Sequence, residues 1–223
     1  MDTPGSTSAT SNWLDVTVTV RSGLPVWPGN PEVDLTPVQS FPQGDEVTIS
    51  KLTLGAHTGT HMDAPLHFIQ AGKTIDEMPL DISLGRARVI EIEREVIEPE
   101  ALERHSIQEG ERILFKTKNS ARDLWTKEEF TEEYVYISTG AGEYLAAKGV
   151  KLVGVDYISV GGYQKNAPEV HRALLGKGVW IVEGLALRDV APGVYDLLCL
   201  PLKLKGLEAS PARALLRPVE AER

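Results

Sequence analysis

The sequence has little with which to staple or anchor itself. It carries a single cysteine, Cys199, so no intramolecular disulfide can form. That thiol sits in the apolar run Leu197-Leu198-Cys199-Leu200, a setting for a buried, inert side chain and not for a nucleophile. No apolar run approaches the roughly 20 residues of a membrane span. Positive charge is also scarce, with 23 Lys and Arg against 32 Asp and Glu and a formal net charge of -9. That balance disfavours nucleic-acid and anionic-membrane partners, which select clustered basic residues. Residues 1–11, rich in Thr, Ser, Gly and Ala, lack the basic start and apolar core of a secretory signal. They read as a flexible N-terminal tail. With no repeat or low-complexity linker beyond it, residues 12–223 are expected to form one domain in a cytoplasmic protein.

What is present is ordinary for a globular chain: 42% of residues are hydrophobic and 25% charged. At 223 residues the core needs no metal or disulfide to hold it. Runs of β-branched and apolar residues between turn signals predict strands over 13–20, 47–54, 87–93, 112–116 and 134–138. Further strands are predicted over 151–155, 179–187, 195–204 and 214–219. Helices are fewer. Residues 99–105 open on Pro with acidic residues in the first turn, and 142–148 are closed by Gly149. Weaker helical patterns cover 127–133 and 168–175. The helix at 142–148 lies between two strands, which predicts a βαβ unit with those strands paired in parallel. The whole reads as one strand-rich, mixed α/β domain.

The five histidines are unevenly spread. Three fall in Leu54-Gly55-Ala56-His57-Thr58-Gly59-Thr60-His61-Met62-Asp63-Ala64-Pro65-Leu66-His67-Phe68. Imidazole nitrogen and carboxylate oxygen together suit Zn, Mn or Fe. Thr58, Gly59 and Thr60 are poor helix formers, so helical spacing does not bring His57 and His61 together. A straight strand would hold those two about 13 Å apart, too far to share an ion. The expectation is therefore a strand ending near His57, a sharp bend at Gly59, and His61 and Asp63 folding back. Pro65 then stiffens the exit that presents His67. A lone histidine is ordinarily a surface or satisfied core residue; three with an aspartate around a glycine bend form a metal-site pattern.

Later in the chain, Glu183 interrupts the apolar stretch 178–187. A buried ionised carboxylate needs a cation or hydrogen-bond donors, and either a metal or an arginine such as Arg213 would serve. His171, taken alone, reads as a solvent-facing helix residue. Trp27, between Pro25 and Pro28, fits either a pocket wall or core packing. Tyr163 follows Gly161 and Gly162, where a lid and an ordinary loop are both possible, and Trp180 reads as core.

The segment from His57 to Phe68 resembles the signature of the cyclase-like metal-dependent hydrolases, a family that includes bacterial kynurenine formamidase and isatin hydrolase. The resemblance runs from Trp13 to about Val219. It takes in Leu24-Pro25-Val26-Trp27-Pro28-Gly29, Pro79-Leu80-Asp81-Ile82, the stretch 151–156, Glu183-Gly184-Leu185 and Ala209-Ser210-Pro211-Ala212-Arg213-Ala214. It implies a cyclase-type fold with a β-barrel-like core and peripheral helices. It implies that His57, His61 and Asp63 bind a first divalent metal, Zn or Mn. Asp63 and Glu183 would bridge to a second ion that His171 also holds. By the same resemblance His67 is the catalytic acid/base and Trp27 lines the substrate pocket. His105 is left over and reads as a surface residue at a helix end, where positive charge suits the dipole. A homodimer or higher homo-oligomer is implied, with neighbouring chains at the pocket entrance.

The expected function is hydrolysis of an amide C–N bond in a small molecule, of the arylformamidase or N-formylkynurenine type that serves tryptophan catabolism. The alternatives are a cyclic-amide or lactone hydrolase of the isatin hydrolase type, a related cyclase, and a non-enzymatic metal-binding protein. His67 argues against the last, since a structural ion needs no proton carrier beside it. Where kynurenine formamidases carry a Ser-x-Lys-Thr-Leu pattern, this chain reads Gly161-Gly162-Tyr163-Gln164-Lys165-Asn166-Ala167-Pro168-Glu169-Val170. Substrate choice is expected to depend on that stretch.

Overall fold

The computed structural model describes residues 12–219. The predicted tail over 1–11 lies outside the described residues. Twelve strands are described: β1 (Leu14–Asp15), β2 (Asp34–Gln39), β3 (Ile49–Thr53), β4 (His61–Asp63), β5 (Leu84–Ile92), β6 (Val96–Ile97), β7 (Arg112–Thr117), β8 (Tyr136–Ile137), β9 (Leu152–Val155), β10 (Trp180–Glu183), β11 (Gly193–Pro201) and β12 (Ala209–Pro218). The helices are α1 (Leu80–Ser83), α2 (Pro99–Glu103), α3 (Lys118–Ala121), α4 (Thr139–Ala147) and α5 (Ala167–Leu175).

The main sheet runs β12-β11-β5-β7-β9-β10-β4, and β4 pairs again with β12. Seven strands thereby close into a barrel, as the family resemblance implied. Closure leaves no unpaired edge among them. Strand alternation divides the residues into two cores. One side gathers Met62, Ala87, Val89, Leu114, Leu152, Val182, Leu197, Cys199 and Ala214 from strands all round the ring, and so fills the barrel. The other side, formed by Ile90, Ile113, Phe115, Val153, Val155 and Ile181, packs outward against Leu102 of α2, Leu145 of α4 and Val170 and Leu174 of α5. Cys199 is fully buried and its thiol is pushed up to about 12, as its apolar run predicts.

Several expectations need correcting. In the barrel the parallel pairs are β5–β7, β7–β9 and β9–β10, while β8 pairs only with β6, also in parallel, in a separate two-stranded ribbon. The βαβ unit predicted around α4 therefore does not pair its two flanking strands. Val135 N instead donates to the Asn119 side chain and Ile137 N to the Val160 carbonyl, which diverts β8 from the barrel. Residues 127–133 form bends, not a helix. Phe130 is drawn into an aromatic cluster with Trp27, Tyr157 and Tyr163, and Thr131 N donates to the Tyr157 hydroxyl at 3.0 Å. The strand predicted over 179–187 stops at Glu183 because Gly184 turns the chain at φ +75°. An added Cβ there would lie 2.3 Å from the Gly59 carbonyl oxygen. The first strand shrinks to β1, continued by an isolated bridge between Thr17 and Leu185. His105 follows the end of α2 as expected but is half-buried, and burial together with Arg88 and Arg104 lowers its pKa. Among the described residues, no helix is long and apolar enough to cross a membrane.

Candidate metal centre

The ladder between β4 and β10 places His61 opposite Glu183 and Asp63 opposite Ile181. Residues two apart on a strand share a face, so His61 and Asp63 leave the barrel wall together while Met62 points into the barrel core. Glu183 joins them from the neighbouring strand. His57 arrives from the turn before β4, through the bend at Gly59, whose φ is +60°. The bend is where the sequence put it, although the preceding strand ends at Thr53 and not near His57. Pro65 opens the single 3-10 turn Pro65–His67 that carries His67.

α5 supplies the last member. Its buried side consists of Ala167, Val170, His171, Leu174 and Leu175, a helical stripe that presses His171 toward the wall. His171 is 4% exposed, so the solvent-facing reading of it is wrong. Phe68 stacks on its ring with centroids 4.6 Å apart.

These side chains converge. His61 Nε2 lies 3.5 Å from Asp63 Oδ1 and 3.2 Å from Glu183 Oε2. His171 Nε2 lies 3.6 Å from Asp63 Oδ2 and 3.2 Å from Glu183 Oε1. His57 Nδ1 is 2.9 Å from Asp63 Oδ1. Arg213, the alternative partner for Glu183, pairs instead with Asp15. Glu183 is held in place by Val160 N, which donates to its Oε1 at 2.7 Å.

The pattern of hydrogen bonds fits a cation. Both oxygens of Asp63 and Nε2 of His61 are buried without a hydrogen-bond partner. Buried polar atoms are ordinarily paired, so three orphans facing one another call for a common partner. The opposite ring nitrogens are anchored: His61 Nδ1 donates to the Gly59 carbonyl at 2.9 Å and His171 Nδ1 to the Ala167 carbonyl at 2.6 Å. That fixes the tautomer that leaves each Nε2 lone pair facing the carboxylates, as metal-binding histidines require. Three imidazoles and two carboxylates form a borderline donor set suited to Zn or Mn.

Electrostatics says the same. Burial opposes charge on His171, yet Asp63 and Glu183 raise its pKa to about 10. His61 shifts in the same direction for the same reason. Burial would raise Asp63, but His57 and His171 hold it well below the usual carboxylate range. In the absence of a cation, the two carboxylates favour a proton on His171.

His67 differs from the rest. Its ring lies 4.2 Å from that of His57 and 5.4 Å from that of His171, centroid to centroid. On distance alone it also groups with Asp63 and His171 as a possible ligand. Burial, reinforced by His57 and His171, lowers its pKa to about 4, against the pull of Asp63 and Glu183. It is therefore a neutral base at pH 7.

The centre opens into a cavity of about 580 Å³ lined by Trp27, Phe68, Ser159 and Tyr163 among others. Trp27 both lines the cavity and packs edge-on against Tyr163, with centroids 5.2 Å apart, so its two readings coexist. Gln164, Lys165, Pro168 and Glu169 come from the stretch that departs from the formamidase pattern. That stretch is tied down: the Tyr134 hydroxyl donates to the Gly161 carbonyl, and Gly162 N donates to Asn166 Oδ1. One nearby residue escaped sequence reading. Glu208 places Oε1 3.3 Å from His57 Nε2, and only closure of the barrel by β12 brings the two together.

Comparison with known proteins identifies the family. The Cyclase family model matches residues 14–161. A kynurenine formamidase from Bacillus cereus is 33% identical over 211 residues, covering 94% of this chain and 99% of that protein. Another from Erythrobacter litoralis is 34% identical and covers 91% and 92%. Among solved structures, a potential metal-dependent hydrolase with cyclase activity superposes with a TM-score of 0.79 at 34% identity, over 92% of this chain and 96% of that one. An isatin hydrolase bound to thioisatinate shares the fold at a TM-score of 0.80 and 22% identity, over 93% and 92% of the two chains. The chain belongs to the Cyclase family.

Proposed function

We propose that this protein is a divalent-metal hydrolase that cleaves the amide C–N bond of a small N-formyl arylamine of the N-formylkynurenine type. The observation that carries the reading is the set of buried, partnerless oxygens of Asp63, ringed by three imidazoles and facing an aromatic-lined cavity. Two ions, Zn or Mn, would suit these donors: His57, His61 and Asp63 would hold one, and His171, Glu183 and Asp63 the other. Ions so held polarise a carbonyl and acidify water.

The protein's own groups do the rest. Trp27, Phe68 and Tyr163 offer an apolar, aromatic wall to an aryl ring. His67, neutral at pH 7, takes a proton from the attacking water and delivers it to the departing nitrogen. The new bond joins the water oxygen to the carbonyl carbon and the C–N bond breaks, leaving a free amine and a carboxylic acid that releases the second water proton to solvent as it ionises. While protonated, His67 would be steadied by the negative charges of Asp63 and Glu183, the two groups that oppose the lowering of its pKa. The test is a panel of N-formyl aryl, lactam and lactone substrates, assayed after chelation and after reloading with Zn or Mn. Turnover of formyl arylamines that vanishes on chelation and returns with metal supports the proposal; a metal-replete protein inert toward all three classes refutes it.

A second reading, opening of a cyclic amide or lactone, is favoured by one observation. The stretch 161–170, which forms a large part of the cavity wall, lacks the formamidase pattern. The same substrate panel separates the two.

The assembly belongs to the proposal as a homodimer. The β2–β3 hairpin exposes Val38, Phe41, Ile49 and Leu52, the last two 49% and 64% accessible. A two-stranded ribbon is marginal by itself in water, and a second copy of the chain would cover this arm. Sedimentation of the wild type and of Phe41→Ser tests it: a monomeric wild type refutes the dimer. A cytoplasmic location is part of the same reading, and cell fractionation checks it.

A further inference from the structure

Each of the three candidate ligand histidines faces Asp63 with one ring nitrogen and hands the other to an acceptor. For His61 and His171 that acceptor is a backbone carbonyl, at Gly59 and Ala167, and the nitrogen left facing the carboxylates is Nε2. His57 is arranged the other way round. Its Nδ1 faces Asp63 Oδ1 at 2.9 Å, and its Nε2 faces Glu208 Oε1 at 3.3 Å. Turning the ring over by 180° would bring carbon atoms against both carboxylates, so the pair of contacts selects one ring orientation and one ligand atom. His57 is also the most exposed of the three, with a side chain 17% accessible against 1% for His61 and 4% for His171. Packing alone therefore constrains it least.

Glu208 is itself held in register with the site. Its carbonyl accepts from Ala64 N at 2.8 Å, and Ala209 lies opposite Asp63 in the β12–β4 ladder. The preceding carbonyl, Leu207, accepts from Ile75 N at 2.8 Å. Backbone contacts on both sides thus fix where this carboxylate stands, and they link it to the strand that carries Asp63.

Resting on the metal-centre reading above, we infer that Glu208 is a positioning residue that orients His57 to ligate through Nδ1. It accepts the Nε2 proton and keeps the Nδ1 lone pair directed at the centre. A carboxylate in that place also makes the imidazole a stronger donor than a backbone carbonyl would. The residue acts through His57 and does not itself line the substrate cavity.

The experiment measures Zn affinity by competition with a chelator, and the visible absorption of the Co(II)-loaded protein, for wild type, Glu208→Ala, Glu208→Gln and His57→Ala. Loss of an outer partner to a metal-bound histidine costs about 10–100-fold in affinity. The expected result is a loss of that size in Glu208→Ala with a shifted cobalt spectrum and an unchanged unfolding temperature of the metal-free protein. Glu208→Gln, which keeps an acceptor oxygen, recovers most of the affinity. Once His57 is already alanine, Glu208→Ala has no further effect. Wild-type affinity and spectrum in both Glu208 variants overturn the inference alone, as does an equal loss in the His57→Ala background. A wild-type protein that binds no divalent ion overturns the metal-centre reading, and the inference with it. Should Glu208→Ala fail to fold, Glu208→Leu, which fills the same space without an acceptor, carries the test: an affinity loss of about 10–100-fold with a shifted cobalt spectrum supports the positioning role, and wild-type values overturn it.

Discussion

Stripping the protein of metal and reloading it should move its unfolding temperature upward by about 8–16 °C. The structure gives the scale. Asp63 Oδ1, Asp63 Oδ2 and His61 Nε2 are buried without hydrogen-bond partners. Each such atom costs about 1–3 kcal/mol, a debt that a cation relieves and that protonated imidazoles offset only in part. The gain realised depends on mass action: at a thousandfold excess over Kd, a ligand that binds only the folded state stabilises it by about 4 kcal/mol. For a domain of 150–250 residues each kcal/mol raises the midpoint by about 2–4 °C, which gives the range stated. The ligands also lie on β4, β10, α5 and the turn before β4, so the ion ties together segments distant in sequence. Differential scanning calorimetry on chelator-treated and reloaded protein, with bound metal counted by elemental analysis, reads the shift. Asp63→Asn should abolish most of it. If protein shown to contain metal unfolds within a degree of the stripped form, the orphan atoms are not the cation's partners.

Other outcomes follow from the same geometry. His67→Ala should keep its metal and lose turnover by about 100-fold or more, measured as kcat on whichever substrate the panel identifies. Because His67 has a pKa lowered to about 4, the acid limb of kcat/KM should lie below pH 6.5, and bound cations push it lower still. The sign for stability is fixed too. Between pH 6.5 and about 4 the unfolded chain takes up this proton first, so metal-free protein loses about 3 kcal/mol as pH falls through that window and nothing from His67 above it. Loading metal at pH 7 should release protons, since Asp63 and Glu183 raise the pKa of both His61 and His171; calorimetry in two buffers of different ionisation enthalpy detects this. Gly184→Ala should lower the urea midpoint by an amount worth several kcal/mol, because a left-handed φ and a Cβ pressed on the Gly59 carbonyl act together. An unchanged midpoint would mean that the Glu183 turn is softer than its contacts imply.

The parts of the fold that could be read in the sequence are those whose signal is local. β7 and β9 centre on the apolar runs Ile113-Leu114-Phe115 and Leu152-Val153-Gly154-Val155, β5 carries the β-branched residues Val89, Ile90 and Ile92, and α4 and α5 carry helical stripes with a glycine or proline at one end. The bend at Gly59 followed from distances: neither a helix nor a straight strand lets His57 and His61 share an ion. The hairpin partner β2 was not legible, because its residues are largely exposed and Pro37 and a bulge break its alternation. Residues 127–133 failed for the opposite reason. Their polar, acidic composition favours a helix locally, but Phe130 gains more by entering the aromatic cluster beside Trp27.

The site shows the same division in finer detail. Glu183 could be singled out because a lone carboxylate in an apolar strand is costly wherever that strand ends up, so its need for a partner is written into its neighbours. Which partner answers that need was not local: Arg213 and a metal were equally compatible until the register of β4 with β10 put His61 across from it. Glu208 is the limiting case. An acidic residue in a polar loop costs nothing by itself, and no pattern around it marks a role. Its contact with His57 exists only because β12 returns to pair with β4 and closes the barrel. Ligands can thus be inferred from the energetic strain they place on their own segment, whereas the groups that orient them can be inferred only from topology. Mutational tests that begin from sequence motifs alone would examine His57 and miss the carboxylate 3.3 Å from its Nε2.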